Sequence, residues 1–585
     1  MRRLTRHHPI RPLAGAGLAA LLAVSLASCA SSDRDTAATT SSGGAASEAS
    51  SAPSSSSGAT GSESGGATGG SDDQLIFGAA GAPSMFDPLY ATDGETFRVA
   101  RQLNEGLVTF TPGTADVAPS LASSWESSED GLTWTFDLQD GVTFHDGTPL
   151  DGAAVCFNLD RMYSQTGAGA TQAQYWSDTM GGFKDSGTPS VYASCAAPDA
   201  DTAVITLTRY TSKFPAILGL PSFSIQSPTA IEQYDGNNVV AEGDSFVYPA
   251  YALEHPTGTG PFTFGGYDQA NNTVTLLRND NYWGEKAKVG TLIFKIIPEE
   301  TARKQELQAG TIDGYDLPNP ADWDGLTAEG FNVAVRPAFN VLYVGINQKN
   351  PDLQDLKVRQ AIAYAMNRQQ FVDSQLPTGA EVAQEFYPNT VDGWTDQVTQ
   401  YGYDPEKAKA LLAEAGKSDL TVNFWWPTEV SRPYMPNPRD VFTAFKADLE
   451  AVGITVNETS QPWNGGYLDG VDAQQADLFL LGWTGDYNTP DNFIGTFFSD
   501  PTSRFGTEYA SWGTTLSDAL GAADTIPDEA ERTTAYENLN KQLMGEYLPA
   551  VPISHSPPAI VVAGNVQGLV PSPLTDEKFV GVSKS

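Results

Sequence analysis

The chain carries the segments TVNFWW at residues 421–426, VFTAFKADLEAV at residues 441–452, ITV at residues 454–456 and DLFLLGW at residues 477–483. We predict strands for the first, third and fourth of these segments, because they combine β-branched and aromatic residues, and a helix for the second. Strands that alternate with a helix in this way are typical of βαβ units. This part of the chain is therefore predicted to have an α/β fold.

The same alternation extends toward the N-terminus. Residues 342–346 are predicted to form a buried strand, and residues 355–371 a single helix with one apolar face. A further helix is predicted to begin after Asp404, a favourable N-cap, and to end before Gly416. Earlier still, strands are predicted at residues 74–77 and 133–138, and a helix at residues 150–164.

The first 28 residues have the pattern of a secretory signal. A basic start is followed by an apolar run that is too short to span a bilayer, and the run ends in Leu26-Ala27-Ser28-Cys29. This ending resembles the bacterial lipobox, which predicts cleavage before Cys29 and lipidation of its thiol. The alternative is an ordinary signal peptide with a chance cysteine. No membrane span is predicted after this leader.

Residues 29–72 consist mostly of Ser, Ala, Gly and Thr after the cysteine. Such a composition buries too little apolar surface to fold, so we predict a disordered tether. A flexible chain of this length reaches roughly 35 Å from its anchor.

The charge of the chain is strongly acidic, with 33 basic against 71 acidic residues and a net charge of −38. Such a field repels phosphate backbones, so we predict that the protein does not bind nucleic acid. The negative charge does not repel cationic or zwitterionic ligands. The alternative is that the acidic residues only keep the protein soluble.

After the leader, the sequence contains no motif that is typical of a catalytic or a metal site. His145, His255 and His555 are each isolated, without the clusters that metal ligation requires. The sequence also lacks a GxSxG elbow and a phosphate-binding GxxxxGK[ST] loop. We predict a protein that is not an enzyme and that has no catalytic residue, metal site or cofactor.

Two cysteines remain after Cys29, namely Cys156 and Cys195. An exported protein meets an oxidising environment, which favours a disulfide between them. Two buried free thiols are the alternative.

Several motifs in the folded part resemble one known family. In order along the chain they are LASSW (121–125), EDGLTW (129–134), GVTFHDG (141–147), GTGPF (258–262), RNDNYWG (278–284) and VRQAI (358–362). They resemble the large solute-binding proteins of bacterial ABC importers, family 5, which include dipeptide and oligopeptide receptors. The resemblance covers nearly the whole chain from residue 74.

This resemblance implies a two-lobed α/β fold of the periplasmic-binding-protein type II, large dipeptide-receptor class. We expect lobe 1 at residues 74–337 together with 556–585, and lobe 2 at residues 338–555. Two chain crossings would form a hinge beside an interlobe cleft. A ligand that contacts both lobes would shift the population toward a closed form.

The segments SRPYMPN (431–437) and GWTGD (482–486) are most similar to the dipeptide receptors. The resemblance implies that Arg432 binds the peptide carboxylate, Asp486 the N-terminal ammonium, and Tyr434 forms an aromatic wall. Trp483 and Gly94 are weaker candidates for the ligand site. The alternatives are a surface ion pair for Arg432, a turn cap for Asp486 and a core position for Trp483.

The partners implied by the resemblance are a short peptide, an ABC permease with its ATPase, and the membrane through the lipid anchor, with the protein itself a monomer. Other ligands in the family are nickel complexes, haem and oligosaccharides, and the fold does not choose among them. A secreted hydrolase and a signalling or adhesive lipoprotein are the competing hypotheses from other classes.

Overall fold

The computed structural model describes residues 73–243 and 245–585. The predicted signal segment 1–28, Cys29 and the tether 29–72 lie outside the described residues. Within the described ranges, no helix is both long and apolar enough to cross a membrane.

The strands are numbered in chain order. They are β1 (Gln74–Ala79), β2 (Val108–Phe110), β3 (Val117–Pro119), β4 (Ala122–Ser127), β5 (Thr133–Leu138), β6 (Tyr192–Ala196), β7 (Thr202–Leu207), β8 (Val240–Glu242), β9 (Ser245–Val247), β10 (Phe262–Asp268), β11 (Thr273–Arg278), β12 (Thr291–Ile296), β13 (Gly314–Asp316), β14 (Asn332–Val335), β15 (Asn340–Ile346), β16 (Glu381–Val382), β17 (Thr421–Thr428), β18 (Thr455–Pro462), β19 (Leu478–Thr484), β20 (Ala550–His555), β21 (Ala559–Val562), β22 (Val566–Gln567) and β23 (Ser583–Lys584).

The α-helices are numbered in the same way. They are α1 (Gly94–Leu103), α2 (Gly152–Tyr163), α3 (Gly167–Gln172), α4 (Gln174–Met180), α5 (Phe214–Ile217), α6 (Pro228–Gln233), α7 (Ala250–Glu254), α8 (Glu300–Gln308), α9 (Trp323–Ala328), α10 (Leu356–Ala365), α11 (Arg368–Gln375), α12 (Pro405–Glu414), α13 (Pro438–Ala451), α14 (Leu468–Asp472), α15 (Ile494–Phe498), α16 (Gly513–Asp524) and α17 (Glu529–Gln542).

The predicted strand at residues 74–77 is confirmed as the start of β1, which lies inside a seven-stranded sheet. The order in that sheet is β10-β11-β12-β1-β13-β21-β14. β1 runs parallel to β12 and β13, with Phe77 opposite Phe294 and Gly314. Apolar side chains cover both faces of this sheet.

The predicted βαβ unit is confirmed in a second sheet, which has six strands in the order β16-β20-β15-β19-β17-β18. β17 and β18 run parallel with α13 between them, and β19 is parallel to β17. β15 runs antiparallel to both β19 and β20, so this sheet is mixed. All seven residues of β15 are buried, as is usual for a central strand.

The prediction of one helix at residues 355–371 is wrong. The structure has two helices, α10 and α11, which are separated at Met366 and Asn367. Met366 is extended at ψ 118°, and the Asn367 side chain caps α11 by accepting from the backbone N–H of Gln370. An asparagine favours such a cap over a helix interior, because its side chain competes for backbone hydrogen bonds.

The helix predicted after Asp404 is confirmed. The Asp404 Oδ1 atom accepts a 2.9 Å hydrogen bond from the backbone N–H of Lys407, and Pro405 is the first helical residue. Gly416 follows the helix with φ +67°, a conformation that favours glycine at a helix end.

A third sheet has four antiparallel strands in the order β4-β5-β7-β6. The sequence patterns predict β5 and α2, but not that these elements belong to a separate sheet. Cys156 of α2 and Cys195 of β6 form a disulfide with a Cα–Cα distance of 5.2 Å. The bridge joins the helix to the edge strand of this sheet.

The chain crosses between the two large sheets twice. It leaves the seven-stranded sheet after β14 and enters the six-stranded sheet at β15, and it returns between β20 and β21. The predicted boundaries near residues 337 and 555 fall in these two connections. The division into two hinged lobes stays a prediction.

Glu385 is a fully buried carboxyl group near the six-stranded sheet. Its Oε1 atom accepts from the backbone N–H of Thr395 at 2.9 Å, and its Oε2 atom has no partner among the described residues. Burial raises the pKa of Glu385 to about 8, with a further contribution from Glu537 and an opposing one from the Thr395 hydrogen bond. The folded protein therefore keeps a proton here that the unfolded chain loses at a lower pH.

We expect Glu385→Gln to stabilise the protein at pH 8 by about 1–2 kcal/mol. The variant no longer has to keep a carboxyl group protonated in the folded state, but it buries an amide with few hydrogen-bond partners, which offsets part of the gain. Because the folded-state pKa is raised, wild-type stability falls as the pH rises from about 4.5 to about 8. The advantage of the variant should consequently shrink or reverse at pH 5. Melting temperatures at both pH values measure this difference. Glu406→Gln on the exposed face of α12 is the control, and equal pH dependence in both variants would contradict the prediction.

Candidate functional site

Asp486 lies just beyond the carboxyl end of β19. Its backbone N–H donates to the Asn492 Oδ1 atom at 2.7 Å, and the Trp483 Nε1–H donates to the same oxygen at 3.3 Å. Gly485 is required beside it, because a Cβ atom there would lie 2.3 Å from the ring of Phe339. These contacts hold the loop that carries Asp486 at one position.

The Asp486 side chain lines a small cavity of about 50 Å³ together with Arg101, Tyr175, Asp576 and Lys578. Burial raises the pKa of Asp486 to about 6, while the charge of Arg101 and the side chains of Asn492 and Tyr175 counteract this rise. Among the described residues, no cation lies within 4.0 Å of its carboxylate. Asp486 is consequently a partly buried acid with a raised pKa, and it has no ion-pair partner among the described residues.

The basic side chains of this small cavity come from distant parts of the chain. Arg101 belongs to α1, and its Nη1–H donates to the Thr575 carbonyl at 3.1 Å. Burial lowers the pKa of Arg101, which Asp576 and Glu577 oppose. Lys578 donates to the Thr109 hydroxyl at 2.5 Å. The cavity therefore presents charges of both signs.

Arg432 lies in the loop after β17, where its backbone N–H and carbonyl bond to Met435. Its guanidinium carbon lies 4.3 Å from the centre of the Trp463 ring, a cation–π geometry. Its Nε–H is buried without an acceptor in the described part of the chain. No described carboxylate lies within 4.0 Å of it, so the alternative of a surface ion pair is not observed.

Arg432 and Trp463 line a second cavity of about 1320 Å³. Its wall includes residues that follow the carboxyl ends of strands in both large sheets, among them Ala80 after β1, Pro298 after β12, Leu317 after β13 and Glu429 after β17. Ligands of open α/β sheets bind at such strand ends. The cavity exceeds the usual volume of a pocket for a small ligand, which is roughly 300–1,000 Å³.

Arg432 and Asp486 do not share a cavity in this structure. The residues that line the small cavity and those that line the large one form separate sets. The two charges that the resemblance assigns to one ligand therefore line different cavities in this structure, and their roles in binding stay a prediction. Stacking on Trp463 holds the Arg432 guanidinium toward the larger cavity.

Tyr434, Trp483 and Gly94 line neither cavity. Tyr434 is 6% exposed, and its ring packs so closely on Gly482 that a Cβ atom there would lie 2.4 Å from it. Trp483 packs edge-to-face on Phe497. Gly94 is the first residue of α1, where Asp93 is the N-cap.

The aromatic ring that stacks on the Arg432 guanidinium is Trp463, and the role of Tyr434 as an aromatic wall stays a prediction. Trp463, Arg101 and Tyr175 were not singled out by the sequence patterns. Each is brought to a cavity by an element distant in sequence from the loop it faces, so no local motif identifies it.

The histidines of the described part hold structural positions. A ring nitrogen of His145 bonds to the Gly260 carbonyl, one of His555 bonds to the Asn340 carbonyl, and His255 stacks on Tyr234. In residues 73–243 and 245–585, no group of three or more His, Cys, Asp or Glu residues is placed to hold a metal ion. The residues that line the two cavities include charged and aromatic side chains.

Comparison with known sequences gives the same family along most of the chain. The sequence profile described as bacterial extracellular solute-binding proteins, family 5 Middle, matches residues 116–505. The dipeptide-binding protein of Escherichia coli K12 is 33% identical over 522 residues, which cover 87% of this chain and 94% of that protein. The heme-binding protein A of Haemophilus influenzae is 30% identical over 523 residues, which cover 88% of this chain and 92% of that protein.

Solved structures agree with this assignment. The ABC transporter-associated periplasmic binding protein DppA from Helicobacter pylori, in complex with the peptide STSA, has a TM-score of 0.72 at 26% identity, and the match covers 87% of this chain and 98% of that one. The predicted α/β fold of the periplasmic-binding-protein class is confirmed. The chain has two large β-sheets joined by two crossings, and the family profile matches most of its length. This chain therefore belongs to family 5 of the bacterial extracellular solute-binding proteins.

Proposed function

We propose that this protein captures short peptides outside the cytoplasmic membrane and delivers them, without chemical change, to an ABC permease with its ATPase. Relatives that are named dipeptide-binding proteins support the choice of ligand. The observation that carries the proposal is a pair of charges, Asp486 and Arg432, which lie at strand ends without an ion-pair partner among the described residues.

In this proposal Asp486 binds the N-terminal ammonium of the peptide and Arg432 binds its C-terminal carboxylate. Burial of an unpaired charge is costly, and a zwitterionic ligand supplies the missing partner to each. A planar guanidinium can donate two parallel hydrogen bonds to a carboxylate. Because the two residues line separate cavities, the side chains between them must move when one short peptide reaches both.

We also propose that the protein is exported through the signal segment, carries a lipid on Cys29, and is a monomer held at the membrane by the tether. In the same proposal, two lobes hinge at the crossings and close on the ligand. The position of the crossings between the two large sheets supports the hinge. Mass spectrometry of the N-terminal peptide tests the anchor, since an unmodified Cys29 in membrane-associated protein would exclude lipidation.

A larger ligand is the second candidate. The volume of about 1320 Å³ beside Arg432 and Trp463 favours a solute bigger than a dipeptide, and one relative is named a heme-binding protein. Calorimetry with a tetrapeptide and with haem distinguishes the candidates from a dipeptide ligand. Recovery of intact peptide after incubation separates all of them from a secreted hydrolase.

We expect Arg432→Ala to weaken dipeptide binding about tenfold or more, because the peptide carboxylate loses a charged donor. The wild-type protein should bind an unblocked dipeptide more tightly than its C-terminal amide, and the variant should lose that preference. Isothermal calorimetry with both peptides measures the two effects.

Arg439→Ala is the matched control, since Arg439 is exposed on the nearby helix α13. A variant at position 432 that still prefers the free carboxylate would remove Arg432 from the proposed site. A wild-type protein that binds no peptide would reject the peptide-receptor function itself.

A further inference from the structure

Lys213 and Asp491 form a largely buried ion pair. The Lys213 ammonium donates to the Asp491 carboxylate, and the two side chains are 12% and 11% exposed. Lys213 lies between β7 and α5, whereas Asp491 lies in a short helical turn after β19. The pair thus joins two segments that are far apart in sequence.

A second acidic side chain, Asp524 at the end of α16, binds the residues that directly precede Lys213. The Thr211 hydroxyl lies 3.0 and 2.8 Å from its two carboxylate oxygens, and the Ser212 hydroxyl donates to it at 3.0 Å. The Ser212 backbone N–H also donates to the Asp524 carbonyl at 3.2 Å. Asp524 is 4% exposed, so these hydrogen bonds are shielded from water.

These contacts connect the two parts of the chain that the crossings separate. Residues 211–213 follow β7 of the four-stranded sheet, before the first crossing. Asp491 and Asp524 lie between the two crossings, in the part that builds the six-stranded sheet. If the two parts move apart about the crossings, the ion pair and its neighbouring hydrogen bonds must break.

The ion pair also acts on the loop that carries Asp486. Asp491 is followed directly by Asn492, whose side-chain oxygen accepts from the backbone N–H of Asp486. Contact between Lys213 and Asp491 therefore fixes one end of a short loop whose other end positions the Asp486 carboxylate.

We propose that Lys213 and Asp491 form a closure latch, an ion pair that is made only when the two parts close and that positions Asp486 for the ligand. The inference rests on the proposed peptide-binding function for its ligand and on the proposed hinge for its motion. Lys213 is a positioning residue in this scheme, since it acts through Asp491 and Asn492. An interaction that exists only in the closed form raises the closed population, and ligand affinity rises with it.

Variants of the latch test the inference in the full mature chain. Lys213→Met and Asp491→Asn are each expected to raise the Kd for an unblocked dipeptide at least fivefold, chiefly through faster dissociation. The double variant should bind no more weakly than the weaker single variant, because both changes break one interaction. Without ligand, each variant should have a larger radius of gyration in X-ray scattering than the wild type.

The control is Lys357→Met, which breaks an exposed ion pair with Glu414 inside a single part of the chain. It should leave affinity and scattering unchanged. Lys213→Gln provides a milder replacement if Lys213→Met does not fold, as judged by circular dichroism. Dissociation rates and scattering equal to those of the wild type in Lys213→Gln and Asp491→Asn would overturn the latch.

Scattering of the free protein separates failure of the latch from failure of the peptide function. A wild type that binds no dipeptide, together with expanded latch variants, supports the latch and rejects the ligand. A wild type that binds dipeptide, together with latch variants of unchanged shape and affinity, rejects the latch alone.

Discussion

Asp486→Asn is expected to weaken the binding of an unblocked dipeptide by about 2–5 kcal/mol, as is typical when one partner of a buried charge pair is removed. The carboxylate is partly buried at the wall of the small cavity and has no cationic partner within 4.0 Å among the described residues, so a ligand ammonium in contact with it would be its nearest counter-charge. An asparagine keeps the shape but offers no charge. Isothermal calorimetry measures the loss, with Asp500→Asn on the exposed surface as the control.

The pH dependence of binding gives a second measurement of the same residue. Burial raises the pKa of Asp486 to about 6, and the ammonium binds the ionised form. Wild-type affinity should therefore fall as the pH is lowered from 7 to 5, whereas Asp486→Asn should show little change over this range. An N-acetylated dipeptide should bind the wild type as weakly as the free peptide binds the variant. Retention of wild-type affinity in Asp486→Asn would remove this residue from the proposed site.

Arg336→Met is expected to lower the free energy of unfolding by about 3–5 kcal/mol, the range seen when a buried ion pair loses one partner. Arg336 lies in the first crossing and is 1% exposed. Its Nε and Nη2 atoms bond to the two Glu577 oxygens at 2.6 and 2.9 Å, and its Nη1 atom bonds to Asp316 at 2.6 Å. Removal of the guanidinium leaves two buried carboxylates with less compensation.

The lowered pKa of Asp316 is the reason for the large expected effect. Burial alone would raise the pKa of Asp316, but Arg336 and Arg98 hold it well below its usual range. Without Arg336, the contact with Arg98 at 2.5 Å is the one ion pair of Asp316 that remains within 4.0 Å among the described residues. Urea unfolding at pH 7 measures the change. The double variant Arg336→Met with Glu577→Gln should lose less than the sum of the two single variants, and simple additivity would contradict a shared network.

Local elements of the fold could be predicted because their signals lie within a few residues. The cap at Asp404, the end at Gly416 and the strand at the start of β1 follow from hydrogen bonding and periodicity within one segment. The break at Met366 was missed because the apolar pattern of the segment continues across it. An asparagine that caps the next helix was the only local signal.

The candidate site was predictable only in part. The residues Arg432 and Asp486 follow from motifs that resemble those of a family, and both lie at the carboxyl ends of strands in one sheet. Their assignment to separate cavities does not follow from those motifs. It depends on Trp463, which follows β18, and on Arg101 of α1, which comes from the other large part of the chain.

The amino-acid sequence by itself determined the α/β class, the order of most strands and helices, and the charged residues offered at the strand ends, since periodicity, caps and composition act over short distances. Only the tertiary structure decided which charges meet. The Arg336 network, the latch of Lys213 with Asp491, and the separation of Arg432 from Asp486 each join segments distant in the chain. Such contacts arise from the packing of whole sheets and crossings, and no short stretch of sequence contains both partners.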